Sequence, residues 1–176
     1  MKRTCRICKR DVKEIRELPS PFPVTEGICR SCAEALVASG NGVDLAAFLE
    51  SLDAPVLLMQ PEPRQVYAAN QRALRLFGKD ISLVAGHRGG QVFDCIHAFT
   101  EAGCGKDVHC EGCKIRNAVV EAFLPGNSFT GVSTDLEIRT GSGTVTFHMQ
   151  VTTEELGNFA LLRIDRFEKT GDIQYG

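Results

Sequence analysis

Eight cysteines fall into two complete sets of four, and no other feature limits what this chain can fold into as tightly. The first set is Cys5-Arg-Ile-Cys8 and Cys29-Arg-Ser-Cys32, two CxxC pairs with twenty residues between them. The second is Cys95, Cys104, Cys110 and Cys113, with eight, five and two residues intervening. After Met-Lys-Arg comes Thr4-Cys5-Arg6, not the run of about 7–15 apolar residues of a secretory signal. No apolar stretch approaches the ~18 residues of a membrane span. The expectation is a cytoplasmic protein with no membrane contact. Thiols stay reduced there, so sets of four read as metal ligands before disulfides.

The first set sits in a head, residues 1–38. Pro19-Ser-Pro-Phe-Pro23 keeps the loop between the pairs extended and turned. Ala33-Glu-Ala-Leu-Val-Ala38 reads as a short helix. So short a segment cannot bury a core large enough to fold alone, and metal would supply the missing free energy. Cys5, Cys8, Cys29 and Cys32 are therefore expected to bind Zn2+ in a zinc-ribbon-like domain. A rubredoxin-like iron site would use the same ligands. Residues 1–16 carry seven Lys/Arg against Asp11 and Glu14, in a chain of net charge −2. The basic side chains either offset the negative charge of a four-thiolate zinc site or contact nucleic acid.

Residues 39–52 form a linker and an amphipathic helix with Leu45, Phe48, Leu49 and Leu52 on one face. That face either covers the next domain or pairs two copies of the chain through residues 43–52. Residues 53–168 read as α+β. Val56-Leu-Leu-Met59 is a short buried strand, and Gln65-Val-Tyr-Ala68 a second one. Asn70 caps a helix that runs to Phe77 and stops at Gly78. Residues 79–113 are irregular and Gly-rich, with the second cysteine set at 95–113. A helix spans 114–124, and Pro125-Gly126 ends it. Three strands follow, at about 128–139, 144–152 and 159–167, joined by Thr140-Gly-Ser-Gly143 and Glu155-Leu-Gly-Asn158 turns. Val145, Phe147, Met149 and Val151 alternate onto one face of the middle strand, which leaves His148 outward. Residues 169–176 are a tail.

Over about residues 43–168 the chain resembles a PAS domain. The residues that carry the likeness are Asp53-Ala-Pro-Val-Leu-Leu-Met59, Val66-Tyr-Ala-Ala-Asn70 running into Ala73-Leu-Arg-Leu-Phe-Gly78, and Ala160-Leu-Leu-Arg-Ile-Asp165. The resemblance implies a five-stranded antiparallel sheet with flanking helices and a sensory or interaction role. The stretch Cys95…Gly103-Cys104-Gly105…Cys110-Glu-Gly-Cys113 resembles a cysteine-bearing variant among bacterial PAS sensors.

Two assignments compete for Cys95, Cys104, Cys110 and Cys113. Zn2+ would staple a loop too Gly-rich to order itself. An iron–sulfur cluster would sense oxygen, nitric oxide or redox poise. Gly103, Gly105 and Gly112 beside the thiols are expected to allow close backbone approach. His97 and His109 are candidate replacements for a cysteine ligand.

Other chemistries leave no mark. The Asn-Cys-Arg-Phe string of flavin-binding light sensors is missing. Residues 114–124 hold no haem-ligating His, and CxxCH does not occur. His87-Arg-Gly-Gly90 is not a phosphate loop, and no HExxH or serine nucleophile elbow is present. No catalytic residues are assigned. The expectation is a non-enzymatic signal-transduction protein that acts on a partner protein in trans. The alternatives are a zinc-stapled adaptor that senses nothing and a nucleic-acid-binding regulator that uses the basic head.

Overall fold

The computed structural model describes residues 42–170, apart from 63 and 125, and three short strands nearer the N-terminus. Those strands are β1 (Arg3–Cys5), β2 (Asp11–Val12) and β3 (Glu26–Gly27). Strand β1 pairs antiparallel with β2 and parallel with β3, which sets Cys5 opposite Gly27. Cys8, Cys29 and Cys32 lie outside the described residues, as do the expected 33–38 helix and most of the tail.

The main body is a five-stranded antiparallel sheet with flanking helices, the α+β architecture of a PAS-like fold. Its strands are β4 (Val56–Met59), β5 (Val66–Ala69), β6 (Phe129–Thr140), β7 (Gly143–Leu156) and β8 (Phe159–Lys169). The order is β5-β4-β8-β7-β6. The last strand in sequence thus lies in the middle, between β4 and β7. Among the described residues four helices accompany the sheet: α1 (Gly42–Glu50), α2 (Gln71–Phe77), α3 (Gly89–Val92) and α4 (Lys114–Ala122). No helix among the described residues is long and apolar enough to cross a membrane.

Strand β4 is apolar at every position because both of its faces are covered. Leu57 and Met59 face the main core with Val66, Val92, Val119, Met149 and Leu162. Val56 and Leu58 face the other way and meet Leu45 and Leu49 of α1, with Phe48 and Leu52 packed alongside. The apolar face of α1 therefore covers the sheet.

Asn70 fastens this layer. It is fully buried, yet its amide makes four hydrogen bonds. Oδ1 accepts from the N–H groups of Val56 at 3.1 Å and Ala73 at 3.0 Å. Nδ2 donates to the carbonyls of Leu49 at 3.1 Å and Ala54 at 2.8 Å. One side chain thereby caps α2 and ties it to α1 and to the start of β4.

The differences from expectation are local. The hairpin strands are longer: β7 continues to Leu156, and a two-residue turn leads into β8. A bulge at Asp165 of β8, opposite Gln150 and Val151, leaves the alternation of β7 intact; Thr153 continues the core face, and Thr152 on the other face is buried as well. Thr152 is paired with Asp165, and Thr153 donates to the Ala118 carbonyl of α4. The segment between α2 and α4 holds 3-10 turns at Ile81–Leu83, Ile96–Phe99 and Val108–Cys110 as well as α3. His148 lies on the outer face as expected and pairs with Asp135.

Candidate metal centre

The irregular segment is held in place from both sides. Lys79 donates to the carbonyls of Gln91 and Val92 and pairs with Asp94 at 2.9 Å, which closes the end of α3. On the other side Cys95 bridges to Ile138, and the Arg139 N–H donates to the Asp94 carbonyl at 2.8 Å. The Arg139 guanidinium lies over the Phe99 ring, 3.4 Å from its centroid. Edge strand β6 is thus attached to the beginning of the cysteine segment.

Cys95, Cys104, Cys110 and Cys113 all line one cavity of about 80 Å3. Met59, Phe93, Val119 and Leu136 give it apolar walls. Four elements contribute one cysteine each. Cys95 precedes the Ile96–Phe99 turn, Cys104 lies in the glycine-flanked loop, Cys110 ends the Val108–Cys110 turn, and Cys113 caps α4. None is in a disulfide.

Two of the four sulfurs accept a backbone N–H. Gly105 donates to Cys110 at 3.3 Å and Arg116 to Cys113 at 3.5 Å. Such donors stabilise sulfur-centred negative charge. Burial nevertheless pushes the Cys95 thiol above its ordinary value, as do the other three cysteines, while the His97 N–H opposes the rise. Burial raises Cys104 as well, against the Gly90 N–H and the Arg88 charge.

Two glycines make this geometry possible. Gly105 has φ +81°, and a Cβ there would stand 2.8 Å from Nη1 of Arg88. A Cβ on Gly90 would lie 2.7 Å from the sulfur of Cys104. Gly105 matches the expectation of close approach. Gly103 and Gly112 do not, since a Cβ at either would meet nothing within 4 Å. Gly90 was not foreseen, because it precedes the cysteine segment and belongs to the His87-Arg-Gly-Gly90 stretch that matches no phosphate loop.

Neither His97 nor His109 lines the cavity. Their rings stack at 4.5 Å on one another, and both face Asp107, at 3.6 and 2.8 Å. The His109 N–H and ring and the Thr100 hydroxyl hold the Asp107 carboxyl down at about 2. Among the described residues, the ligand atoms of His97, Asp107 and His109 form a set of three within 4.8 Å of one another; the four sulfurs form no such set.

Three arginines also reach the cavity, and none was singled out from sequence. Arg64 precedes β5, Arg88 caps α3, and Arg116 lies in the first turn of α4. Arg88 donates to the Cys104 carbonyl at 2.9 Å.

No family model and no curated protein sequence matches this chain. Several solved structures are similar to it. The Rhodobacter sphaeroides LOV protein is 12% identical with a TM-score of 0.45, the match covering 73% of this chain and 65% of that one. A fungal LOV domain photoreceptor is 16% identical with a TM-score of 0.44, over 76% of this chain and 99% of that one. The photoactive yellow protein domain of the sensor histidine kinase Ppr from Rhodospirillum centenum is 12% identical with a TM-score of 0.41, over 76% and 99%. The chain thus spans about two thirds of the Rhodobacter protein's length.

Proposed function

We propose that this chain is a non-enzymatic, cytoplasmic PAS-type sensor whose Cys95, Cys104, Cys110 and Cys113 hold an iron–sulfur cluster. The observation that carries this reading is that all four sulfurs line one cavity, where Cys110 and Cys113 already accept a backbone N–H. Hydrogen bonds to sulfur are among the determinants of cluster potential.

Two further observations favour a cluster over a single Zn2+. A lone zinc with Zn–S bonds of about 2.3 Å needs its tetrahedral sulfurs roughly 3.8 Å apart. The four sulfurs are not gathered that closely, whereas in a four-iron cluster each thiolate binds a different iron. The cavity, about 80 Å3, is also small beside the roughly 300–1,000 Å3 of organic-ligand pockets. It suits a compact inorganic group.

When bound, such a cluster would supply reversible electron uptake and sensitivity to oxygen or nitric oxide. The chain's own part is mechanical. Loss of the thiolate ligation frees residues 95–113. The Cys95–Ile138 bridge and the Arg139–Asp94 hydrogen bond then lose their anchor, and edge strand β6 changes its exposure to a partner protein in trans. The head, through Cys5, Cys8, Cys29 and Cys32, would bind structural Zn2+.

Anaerobic purification with an absorption spectrum and iron, sulfide and zinc analysis of one sample tests the reading. A broad band near roughly 400–420 nm with iron and labile sulfide, lost in Cys104→Ser, is expected. Zinc at both sites with no visible band would replace the sensor by a zinc-stapled adaptor.

A further inference from the structure

Three guanidinium groups converge beside the four sulfurs. Measured from a Cβ placed on Gly105, Nη1 of Arg88 lies at 2.8 Å, Nη2 of Arg64 at 3.8 Å and Nε of Arg116 at 3.9 Å. All three arginines line the cysteine cavity. Like charges gathered at an apolar cavity repel one another and lose hydration, so an anionic counterpart is needed to hold them there.

The described residues supply little of it. Arg64 pairs with Glu62 at 3.1 Å, but that carboxylate is 72% exposed and its field is screened. No carboxylate among the described residues pairs with Arg88 or Arg116. The Nε of Arg116 is buried with no hydrogen-bond partner. An orphaned buried donor at a cavity wall marks a missing acceptor. Four ligating thiolates supply one, because a four-thiolate metal centre carries net negative charge whether it holds a divalent ion or a cluster.

We propose that Arg64, Arg88 and Arg116 are the counter-charge of the four-cysteine centre and set how readily it accepts an electron. This rests on the metal-centre reading above. Positive charge close to a centre favours its more negative, reduced form. Removing one arginine therefore makes reduction harder.

The test uses the full chain purified anaerobically, in wild-type, Arg116→Gln, Arg116→Lys and Arg64→Gln forms. Arg166→Gln, on a half-exposed residue outside the cavity, is the control. Each form is titrated with dithionite and mediators while the visible band is followed. Arg116→Gln and Arg64→Gln should each lower the reduced-to-oxidised ratio at a fixed poise by about tenfold, a shift of about 59 mV for a one-electron couple. Arg116→Lys and Arg166→Gln should titrate like wild type. A wild-type cluster whose Gln variants titrate unchanged overturns the arginine proposal and leaves the cluster reading intact. If wild type carries zinc at Cys95, Cys104, Cys110 and Cys113 instead, the cluster reading fails. Chelator competition then decides the arginines: Gln variants must surrender that zinc about tenfold more readily than wild type and Arg116→Lys must not, and equal retention overturns the proposal. No metal in any form overturns both.

Discussion

A Cβ on Gly90 would stand only 2.7 Å from the sulfur of Cys104, whose thiolate the Gly90 N–H favours. The same residue would also press on Ala98, at 3.2 Å from its Cβ. Gly90→Ala keeps the donor and removes the space. The sulfur must move out of the ligand set while the sheet stays as it is. Metal retention should fall by roughly 10–100-fold, the range for lost support around ligands, with an unchanged far-UV circular dichroism spectrum. A fully loaded Gly90→Ala protein would mean that Cys104 is dispensable to the centre.

Asn70 joins α1, α2 and β4 through one amide. Asn70→Ala strands the Val56 N–H and the Ala54 carbonyl, and should cost roughly 2–4 kcal/mol in urea unfolding. Asn70→Asp loses the two donated bonds and buries charge, so it should be no milder. A loss below about 1 kcal/mol in both would show that α1 is held by packing alone.

The metal-free protein should weaken in alkali. Cys95 and Cys104 have their thiol pKa values raised in the folded state, mainly by burial. A raised folded value means that the stabilising contribution is complete below the ordinary thiol value of 9.0. It is lost as pH rises through the higher, folded value. Thermal melting of metal-free protein should drop above pH 9, and metal loading, which takes up the thiolates, should remove the drop. A flat profile for the metal-free form would show that these thiols are not buried in solution.

Asp107 titrates in the opposite sense. Its carboxyl value, about 2 against an ordinary 3.8, is depressed by the His109 N–H and ring and by Thr100. Its contribution to the order of the Val108–Cys110 turn is complete above pH 3.8 and is lost as pH falls through about 2. The side-chain carbon resonance of Asp107 should still report a carboxylate at pH 3, and Asp107→Asn should speed exchange of the His109 amide. Protonation of Asp107 with a midpoint near 3.8 would contradict the pairing.

Much of this arrangement is legible in the chain because it is local. The Val56–Met59 run, the Asn70 cap, the Gly78 stop and the period-two hairpin strands each follow from neighbouring residues and stand within a few positions of expectation. The four cysteines could be grouped by spacing, and the fold brings them to one cavity. What the spacing could not reveal is what surrounds them. Arg64, Arg88 and Arg116 come from three separate elements and meet only after the sheet has formed. His97 and His109 look like spare ligands in sequence, but Asp107 in the next turn draws them away. The bulge at Asp165 of β8 shows only against its partner, because β7 runs past it without an extra residue.

The central position of β8 orders the molecule's biosynthesis. On the ribosome, β4 and β5 emerge long before the strand that must lie beside β4, so the sheet has a gap through its middle until residues 159–169 are released. Leu162 of that strand lines the cysteine cavity. Cys95, Cys104, Cys110 and Cys113 are therefore translated into a chain that cannot yet enclose them. Their cavity closes only once residues 159–169 have joined the sheet.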